Sequence, residues 1–206
     1  MAQARKSSSR KPTLRMVSSP EFVYQLRVEL LGLRPAIWRQ ILVRGSVELS
    51  RLHVILLMTM GWDGGHVHEY VIGDKNYGEV DPFFRPDVPD DPPVLDEAKA
   101  TLAVVLGDRK LFTYIYDFGD NWQHRVKVEK ILPPDPDLRS PICLAGRNAC
   151  PPEDVGGGPG YIEFLEAITD PSHEDHEQLL EWCGGSFDPD TFDVAAVNER
   201  LSEFEF

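Results

Sequence analysis

The sequence predicts an α+β domain built on a mainly antiparallel sheet of about five or six strands. Apolar and polar residues alternate along residues 24–30 and again along 111–129, which is the period of two of half-buried strands. Residues 49–60 instead carry an apolar stripe at helical spacing. Similar stripes occur towards the C-terminus, so we expect one helix inserted after the second strand and a C-terminal helical segment.

The first two strands are predicted to form an antiparallel pair. Tyr24, Leu26 and Val28 point to one side of the first strand, and polar side chains alternate with them. A turn at residues 32–35 then precedes the segment 37–43, which is rich in apolar and β-branched residues. We predict this segment as the second strand.

The helix over residues 49–60 presents one apolar face and is predicted to end at Gly61, because glycine readily adopts the backbone conformation that follows a helix. His53 falls on the apolar face together with Leu52 and Leu56. A histidine on such a face is more often a hydrogen-bonded core residue than a functional group. We therefore expect His53 to belong to the core.

His66 and His68 lie two positions apart in the predicted third strand, which spans residues 66–72. Side chains at that spacing share one face of a strand, with Cα atoms roughly 7 Å apart. Both imidazoles could therefore reach one ion or one anion, and we treat both residues as candidates for a site.

The predicted hairpin over residues 111–129 has an acidic tip. Asp117 and Asp120 flank a short glycine-containing turn, and Trp122 and His124 follow on the apolar face of the returning strand. Aspartate in such a turn commonly accepts hydrogen bonds from the local backbone, which is a structural role. Two carboxylates and an imidazole nevertheless come together at one strand end, and these are the groups that general acid–base chemistry uses.

Residues 143–160 predict an ordered loop, because glycine and proline are frequent there and no periodicity is visible. The glycine-rich end of this segment leads into a helix, whose backbone N–H groups could hold an anion. The Lys-Ser/Thr pair of a nucleotide-binding P-loop is missing from it, so nucleotide binding is not expected. The segment contains two cysteines and two adjacent carboxylates, Cys143, Cys150, Glu153 and Asp154.

The remaining helices are predicted from apolar residues three and four positions apart. Ser172 is predicted as the N-cap of one of them, and Asp193 or Asp190 as the N-cap of the last. Residues 81–93 are acidic and rich in proline, which favours an extended wrapping loop over a helix. The predicted helices span about residues 101–106, 161–168, 176–183 and 194–204.

The chain of 206 residues has a net charge of −13, and this charge is unevenly distributed. Residues 1–20 contain five cations and no acid, so they predict a disordered basic tail, whereas residues 21–206 predict a single acidic domain. An acidic surface repels a phosphate backbone, which argues against nucleic-acid binding by the folded body. The basic tail could still contact nucleic acid or anionic lipid.

The sequence favours a cytoplasmic protein that does not enter a membrane. No apolar run approaches the roughly 18–20 residues of a membrane span, and the N-terminal residues lack the apolar core of a secretory signal. In a reducing compartment the three cysteines are expected to be free thiols or metal ligands. A Cys143–Cys150 disulfide is the alternative for an exported chain.

Two sequence blocks are distinctive together: Tyr116-Asp117-Phe118-Gly119-Asp120-Asn121-Trp122-Gln123-His124 and Cys150-Pro151-Pro152-Glu153-Asp154. Shorter blocks accompany them, among them Trp38-Arg39, Leu52-His53, Gly61-Trp62, His66-Val67-His68-Glu69-Tyr70, Gly160-Tyr161 and Phe187-Asp188-Pro189. With these blocks the sequence resembles the plasmid pRiA4b ORF-3-like family, whose members are also called transposon-associated "TnpR-like" proteins. The resemblance covers about residues 22–204 and implies an α+β fold and a link to mobile genetic elements.

The resemblance does not imply recombinase chemistry. A serine recombinase needs a nucleophilic serine among arginines that stabilise phosphate groups. The serine cluster at residues 7–9 lies in the predicted tail, and the predicted domain is acidic.

Two metal sites are conceivable from the ligand types present. Cys143 and Cys150 together with His66 and His68 would make a Cys₂His₂ set for zinc, although the spacing C-x₆-C differs from the usual C-x₂₋₄-C. The alternative is that the two cysteines pack as small apolar residues or stay as thiols. A second set would combine nitrogen and oxygen ligands, namely His66, His68, Asp117, Asp120 and His124.

Three functions remain open from the sequence. The favoured one is a small acidic binding or adaptor module for a protein or small-molecule partner, because histidine, aspartate and tryptophan cluster without an identifiable nucleophile. The second is a metal-dependent hydrolase that uses the same cluster, and the third is a nucleic-acid-associated protein that acts through its tail. The expected ligand-facing residues are His66, His68, Asp117, Asp120, Trp122, His124, Glu153 and Asp154.

Overall fold

The computed structural model describes residues 19–80 and 93–206, and that part of the chain folds around one eight-stranded sheet with five α-helices. The predicted α+β class is therefore confirmed. The strands are β1 (Val23–Leu30), β2 (Ile37–Arg44), β3 (His68–Ile72), β4 (Lys75–Gly78), β5 (Val94–Asp96), β6 (Leu111–Tyr116), β7 (Trp122–Leu132) and β8 (Ile142–Arg147). The helices are α1 (Leu49–Met60), α2 (Leu102–Leu106), α3 (Gly157–Thr169), α4 (His176–Trp182) and α5 (Val194–Ser202).

The sheet has the strand order β5-β4-β3-β6-β7-β1-β2-β8. Strands β4 and β5 pair in parallel, and the other neighbouring strands pair antiparallel. The predicted β1–β2 pair and β6–β7 hairpin are both present, with Val28 opposite Arg39 in the first and Tyr116 opposite Trp122 in the second. The β6–β7 hairpin joins the β3 side of the sheet to the β1–β2 side, because β7 pairs with β1.

The predicted count of five or six strands is wrong, because β4, β5 and β8 belong to the sheet as well. Strands β4 and β5 have only four and three residues, which is too short for an alternation of side chains to show. Strand β8 lies in the segment predicted as a loop. Its Ala145 and Gly146 have little or no side chain, so the pattern is masked although the strand pairs with β2.

One face of the sheet is buried and the other is in contact with solvent. In β7, Trp122, His124 and Val126 are buried, whereas the residues between them are exposed. Helix α1 contributes Leu52 and Leu56 to the same core. Burial of such side chains is worth about 1.5–3 kcal/mol each, so this alternation determines which way the strand faces.

Helix α1 begins and ends at the predicted residues. Gly61 follows it in the left-handed conformation, with φ of 93°, and its N–H donates to the carbonyl of Leu57. Ser172 does not cap α4, so that prediction is wrong. Its hydroxyl donates to Asp170, and α4 starts later, after Asp175.

Helix α5 packs against β8, which is an edge strand of the sheet. The amide side chain of Asn198 accepts from the backbone N–H of Cys143 at 2.8 Å and donates to its carbonyl at 2.9 Å. Edge strands leave such groups open to association with other chains, and Asn198 satisfies one pair of them.

Two predictions fall largely outside the described residues. They are the basic tail over 1–20, of which residues 1–18 are not described, and the acidic loop over 81–93, of which residues 81–92 are not described. Within the described ranges, no helix combines the length and apolar character needed to cross a membrane.

The N-cap of α5 gives the first testable prediction. Asp193 accepts hydrogen bonds from the N–H groups of Ala195 and Ala196 at 2.8 and 3.3 Å, which confirms it as one of the two predicted caps. We expect Asp193→Ala to lower the free energy of unfolding by about 1 kcal/mol, because the helix loses its cap. Urea denaturation measures the change.

Asp190→Ala is the matched control for this experiment. The backbone N–H of Asp190 donates to Asp188, but its carboxylate does not cap α5. Equal losses of stability in the two variants would contradict the assignment of Asp193 as the cap.

Candidate functional site

Three of the predicted site residues converge, and we call them the histidine–aspartate triad: His66, Asp117 and Asp154. His66 Nδ1 lies 3.7 Å from Asp117 Oδ2, and His66 Nε2 lies 3.1 Å from Asp154 Oδ1. One ligand atom from each residue lies within 4.8 Å of the other two. The three residues come from separate loops, which lie between α1 and β3, between β6 and β7, and between β8 and α3.

Both aspartates of the triad have an unusual backbone conformation, which orients their side chains. Asp117 and Asp154 have φ angles of 55° and 59°, in the left-handed region that non-glycine residues seldom occupy. Asp117 begins the hairpin turn, where its Oδ1 accepts from the N–H of Gly119 at 2.9 Å. Its own N–H donates to the carbonyl of Val67 at 2.9 Å, next to His66. One carboxylate oxygen therefore organises the turn, and the other is the one nearer His66.

The carboxylate of Glu153 ties the three loops together. It accepts a hydrogen bond from the Tyr116 hydroxyl through Oε1 and from the backbone N–H of Asp63 at 2.8 Å through Oε2. Tyr116 precedes Asp117, and Asp63 belongs to the loop that carries His66. Burial and then the bond to Glu153 raise the pKa of Tyr116, so the phenol remains a donor. Glu153 thus positions the triad.

Two predicted ligand-facing residues, Trp122 and His124, are buried in the core. The ring of Trp62 packs against both of them and against Tyr116: its centroid lies 6.0 Å from that of Trp122, 5.4 Å from that of His124 and 5.1 Å from that of Tyr116. His124 is 0% exposed, and burial lowers its pKa to about 4. It therefore stays neutral near pH 7, out of reach of a ligand in solvent.

His68 turns away from His66 and forms a buried polar pair with Glu97, at 2.7 Å between Nε2 and Oε2. Its ring also stacks on that of His53, with centroids 3.5 Å apart. Burial and then His68 lower the pKa of His53 to about 3, and the ring of His53 contacts the Tyr114 hydroxyl at 2.7 Å. This network agrees with the core position that the sequence predicts for His53.

Glu97 was not singled out in the sequence. It lies in a short 3₁₀ turn, Glu97–Lys99, that follows β5, and its side chain is buried. A buried glutamate needs a partner, but no local pattern in the sequence identifies His68 as that partner.

Asp120 holds the start of α3 instead of facing the triad. Its Oδ2 accepts from the N–H of Gly156 at 3.2 Å. Gly157 has φ of 68°, and a Cβ there would lie 2.6 Å from the carbonyl oxygen of Asp120, so the hairpin tip can approach only a glycine. A carboxylate from the same chain thus lies where the sequence suggested an anion could bind.

The structure does not assemble the predicted Cys₂His₂ set. Cys143 is buried in β8, and both Cys143 and Cys150 lie near the buried guanidinium of Arg39. Among residues 19–80 and 93–206, no three of the four proposed ligands bring their ligand atoms within 4.8 Å of one another. Burial raises the pKa of both thiols, and both cysteines are free rather than joined in a disulfide.

A cavity of about 530 Å³ opens between α3 and α4 and shares Asp154 with the triad. Leu179 and the buried Phe164 line it, and Trp182 lies against Phe164 with ring centroids 5.7 Å apart. The site thus combines an open triad with a neighbouring hollow.

The fold and the triad together define an α+β protein with a candidate cation site formed by three loops. The chain belongs to the plasmid pRiA4b ORF-3-like protein family, whose model matches residues 22–196.

Two relatives match this chain over most of its length. The chain is 39% identical over 178 residues to "Uncharacterized protein y4hQ" of Sinorhizobium fredii, covering 85% of this chain and 86% of the relative. The crystal structure of "Protein of Unknown Function MM3350" from Methanosarcina mazei Go1 is 36% identical in sequence and superposes with a TM-score of 0.76. That match covers 86% of this chain and 98% of the other, so the two structures share the fold over most of their length.

The role of Glu153 gives a testable prediction. We expect Glu153→Ala to lower the free energy of unfolding by about 2 kcal/mol, because a charged acceptor of two hydrogen bonds is lost. Urea denaturation measures the loss, and Glu199→Ala, at an exposed position on α5, is the control. Equal stability of the two variants would contradict the role of Glu153 in joining the loops.

The burial of His124 gives a prediction for pH. Its folded pKa is about 4, below the value near 6.5 of an unfolded histidine, so the unfolded chain binds more protons between these values. The stability that neutral His124 contributes is complete above pH 6.5 and is lost as the pH falls towards 4. This loss is about 3 kcal/mol.

We expect His124→Asn to flatten the dependence of stability on pH between 6.5 and 4. Asparagine keeps a donor for the Tyr114 carbonyl, which His124 Nδ1 faces at 3.3 Å, but it does not titrate. His173→Asn, at an exposed position, is the control and should leave the slope unchanged. An unchanged slope in His124→Asn would show that His124 binds its proton at the same pH in the folded and the unfolded chain, which would contradict the lowered pKa.

Proposed function

We propose that this chain is a divalent-metal-dependent hydrolase whose metal ion binds to the histidine–aspartate triad. The observation that supports the proposal is the convergence of one imidazole and two carboxylates from three separate loops, with ligand atoms within 4.8 Å of one another. Carboxylates brought this close repel each other, and a shared cation turns that repulsion into attraction.

The ligand types and their exposure favour a catalytic over a structural site. Mixed nitrogen and oxygen ligands suit Mn²⁺, Fe²⁺ or Zn²⁺. Catalytic zinc sites use three protein ligands and leave a position for water, whereas structural sites use four. The side chains of His66 and Asp154 are 30% and 72% exposed, so solvent can reach the triad.

A metal ion at the triad would lower the pKa of a coordinated water molecule and make it a nucleophile near neutral pH. The residues of the chain would then hold and orient the ion. Asp117 and Asp154 balance its charge, His66 supplies a nitrogen ligand, and Glu153 keeps the three loops in place. Such a mechanism requires no nucleophilic serine or cysteine.

A second candidate is a binding or adaptor module that holds its partner through the same metal ion without chemical turnover. The titratable groups next to the triad already have partners, and this favours the binding module. Glu153 already accepts two hydrogen bonds, and His68 is buried against Glu97. A general acid or base for catalysis would have to come from the triad itself or from the substrate.

The third possibility is nucleic-acid association through the basic residues of 1–20. This stays a prediction, and it rests only on the charge of a segment that lies almost entirely outside the described residues. Deletion of residues 1–20 separates it from the two proposals above, since both concern the folded body.

The metal proposal is tested with protein purified without added metal. We expect about one equivalent of a transition metal to bind, and Mn²⁺ or Zn²⁺ to raise the thermal midpoint by mass action. Asp154→Asn should weaken binding at least tenfold while leaving the metal-free stability unchanged, because the Asp154 side chain is largely exposed. Calorimetric titration and elemental analysis provide the measurements.

Asp74→Asn is the matched control, since it removes the same charge from a side chain that is 87% exposed in the turn between β3 and β4, at the opposite end of β3 from His66. Binding that is equally strong in both variants would contradict the triad as the metal site. If metal binds at the triad but no metal-dependent hydrolysis of ester, amide or phosphoester substrates is detected, the binding module becomes the better description.

A further inference from the structure

The cavity between α3 and α4 has the size and position of a ligand site. Its volume is about 530 Å³, within the range of about 300–1,000 Å³ typical of small-molecule sites. Asp154 belongs both to the triad and to the cavity wall, so a ligand in the cavity would lie beside the proposed metal ion. The cavity and the triad therefore share one side chain.

The wall of the cavity is rich in carboxylates, and His173 also belongs to it. Four carboxylates accompany Asp154 in the lining, and no lysine or arginine is among the described residues that form it. A ligand with a negative charge would be repelled, whereas a ligand with a positive charge would be attracted. The additional carboxylates are those of Glu163, Glu166, Glu174 and Asp175.

An independent feature of the cavity is its aromatic surface. Trp182 is 47% exposed although it is the largest apolar side chain of α4. It contacts Phe164 edge to face, and Leu179 lies in the same wall. An exposed indole in an acidic hollow attracts an organic cation through its π face, and the apolar wall packs against a short methylene chain.

We propose that this cavity binds an alkylammonium or guanidinium group, and that the substrate of the proposed hydrolase is therefore an organic cation. The carboxylates select the charge, and Trp182 with Leu179 selects the attached hydrocarbon. This proposal about the substrate rests on the proposed function, but the binding of a cation to the cavity does not depend on metal at the triad.

The test measures binding of 1,5-diaminopentane by calorimetry in the presence of a metal chelator and about 0.15 M salt, where charges farther apart than about 8 Å are largely screened. We expect the diamine to bind and 1,5-pentanediol, of similar length but uncharged, not to bind. The double variant Glu163→Gln/Glu166→Gln should weaken binding of the diamine at least tenfold. Trp182→Ala should weaken it as well, whereas Trp182→Phe should retain most of it.

The control is Glu199→Gln/Glu203→Gln, which removes the same charge from α5 and the residue after it. Equal weakening in this control, binding of the diol as strong as that of the diamine, or no binding of the diamine would overturn the proposal. If the diamine binds to a protein that is shown to bind no metal, the cation site in the cavity is supported. Only the metal-dependent hydrolase is then refuted.

Discussion

The carboxylate of Glu153 is the contact on which the candidate site depends. It receives hydrogen bonds from Tyr116, at the end of β6, and from Asp63, in the loop that carries His66. Glu153 itself precedes Asp154 in the chain. Ordering three loops independently would cost conformational entropy in each of them. One shared acceptor couples them, so the positions of the triad residues are determined together.

Burial separates the histidines of this protein into two kinds. His53 and His124 lose solvent, and this lowers the pKa of both rings so far that they act as neutral core residues. His66 remains partly exposed between two carboxylates. The sequence places histidines and acids close together in both settings, but only exposure to solvent gives a residue access to a ligand.

Negative charge connects the proposed metal site and the proposed cation cavity. Asp154 contributes to both, and the surrounding lining adds further carboxylates. The overall charge of −13 acts in the same direction, because it disfavours phosphate-rich partners and attracts cations.

The α+β class, helix α1 and the strands β1, β2, β6 and β7 could be predicted from the sequence, because side-chain period is a local property. Capping chemistry is local too, and it narrowed the cap of α5 to Asp193 or Asp190. The sequence also brought His66, Asp117 and Asp154 into the set of candidates. That these three residues meet while Asp120 and His124 lie elsewhere is visible only in the folded chain. The reason is that contacts between distant loops depend on strand register and on left-handed turns at individual aspartates, which leave no periodic trace in the sequence.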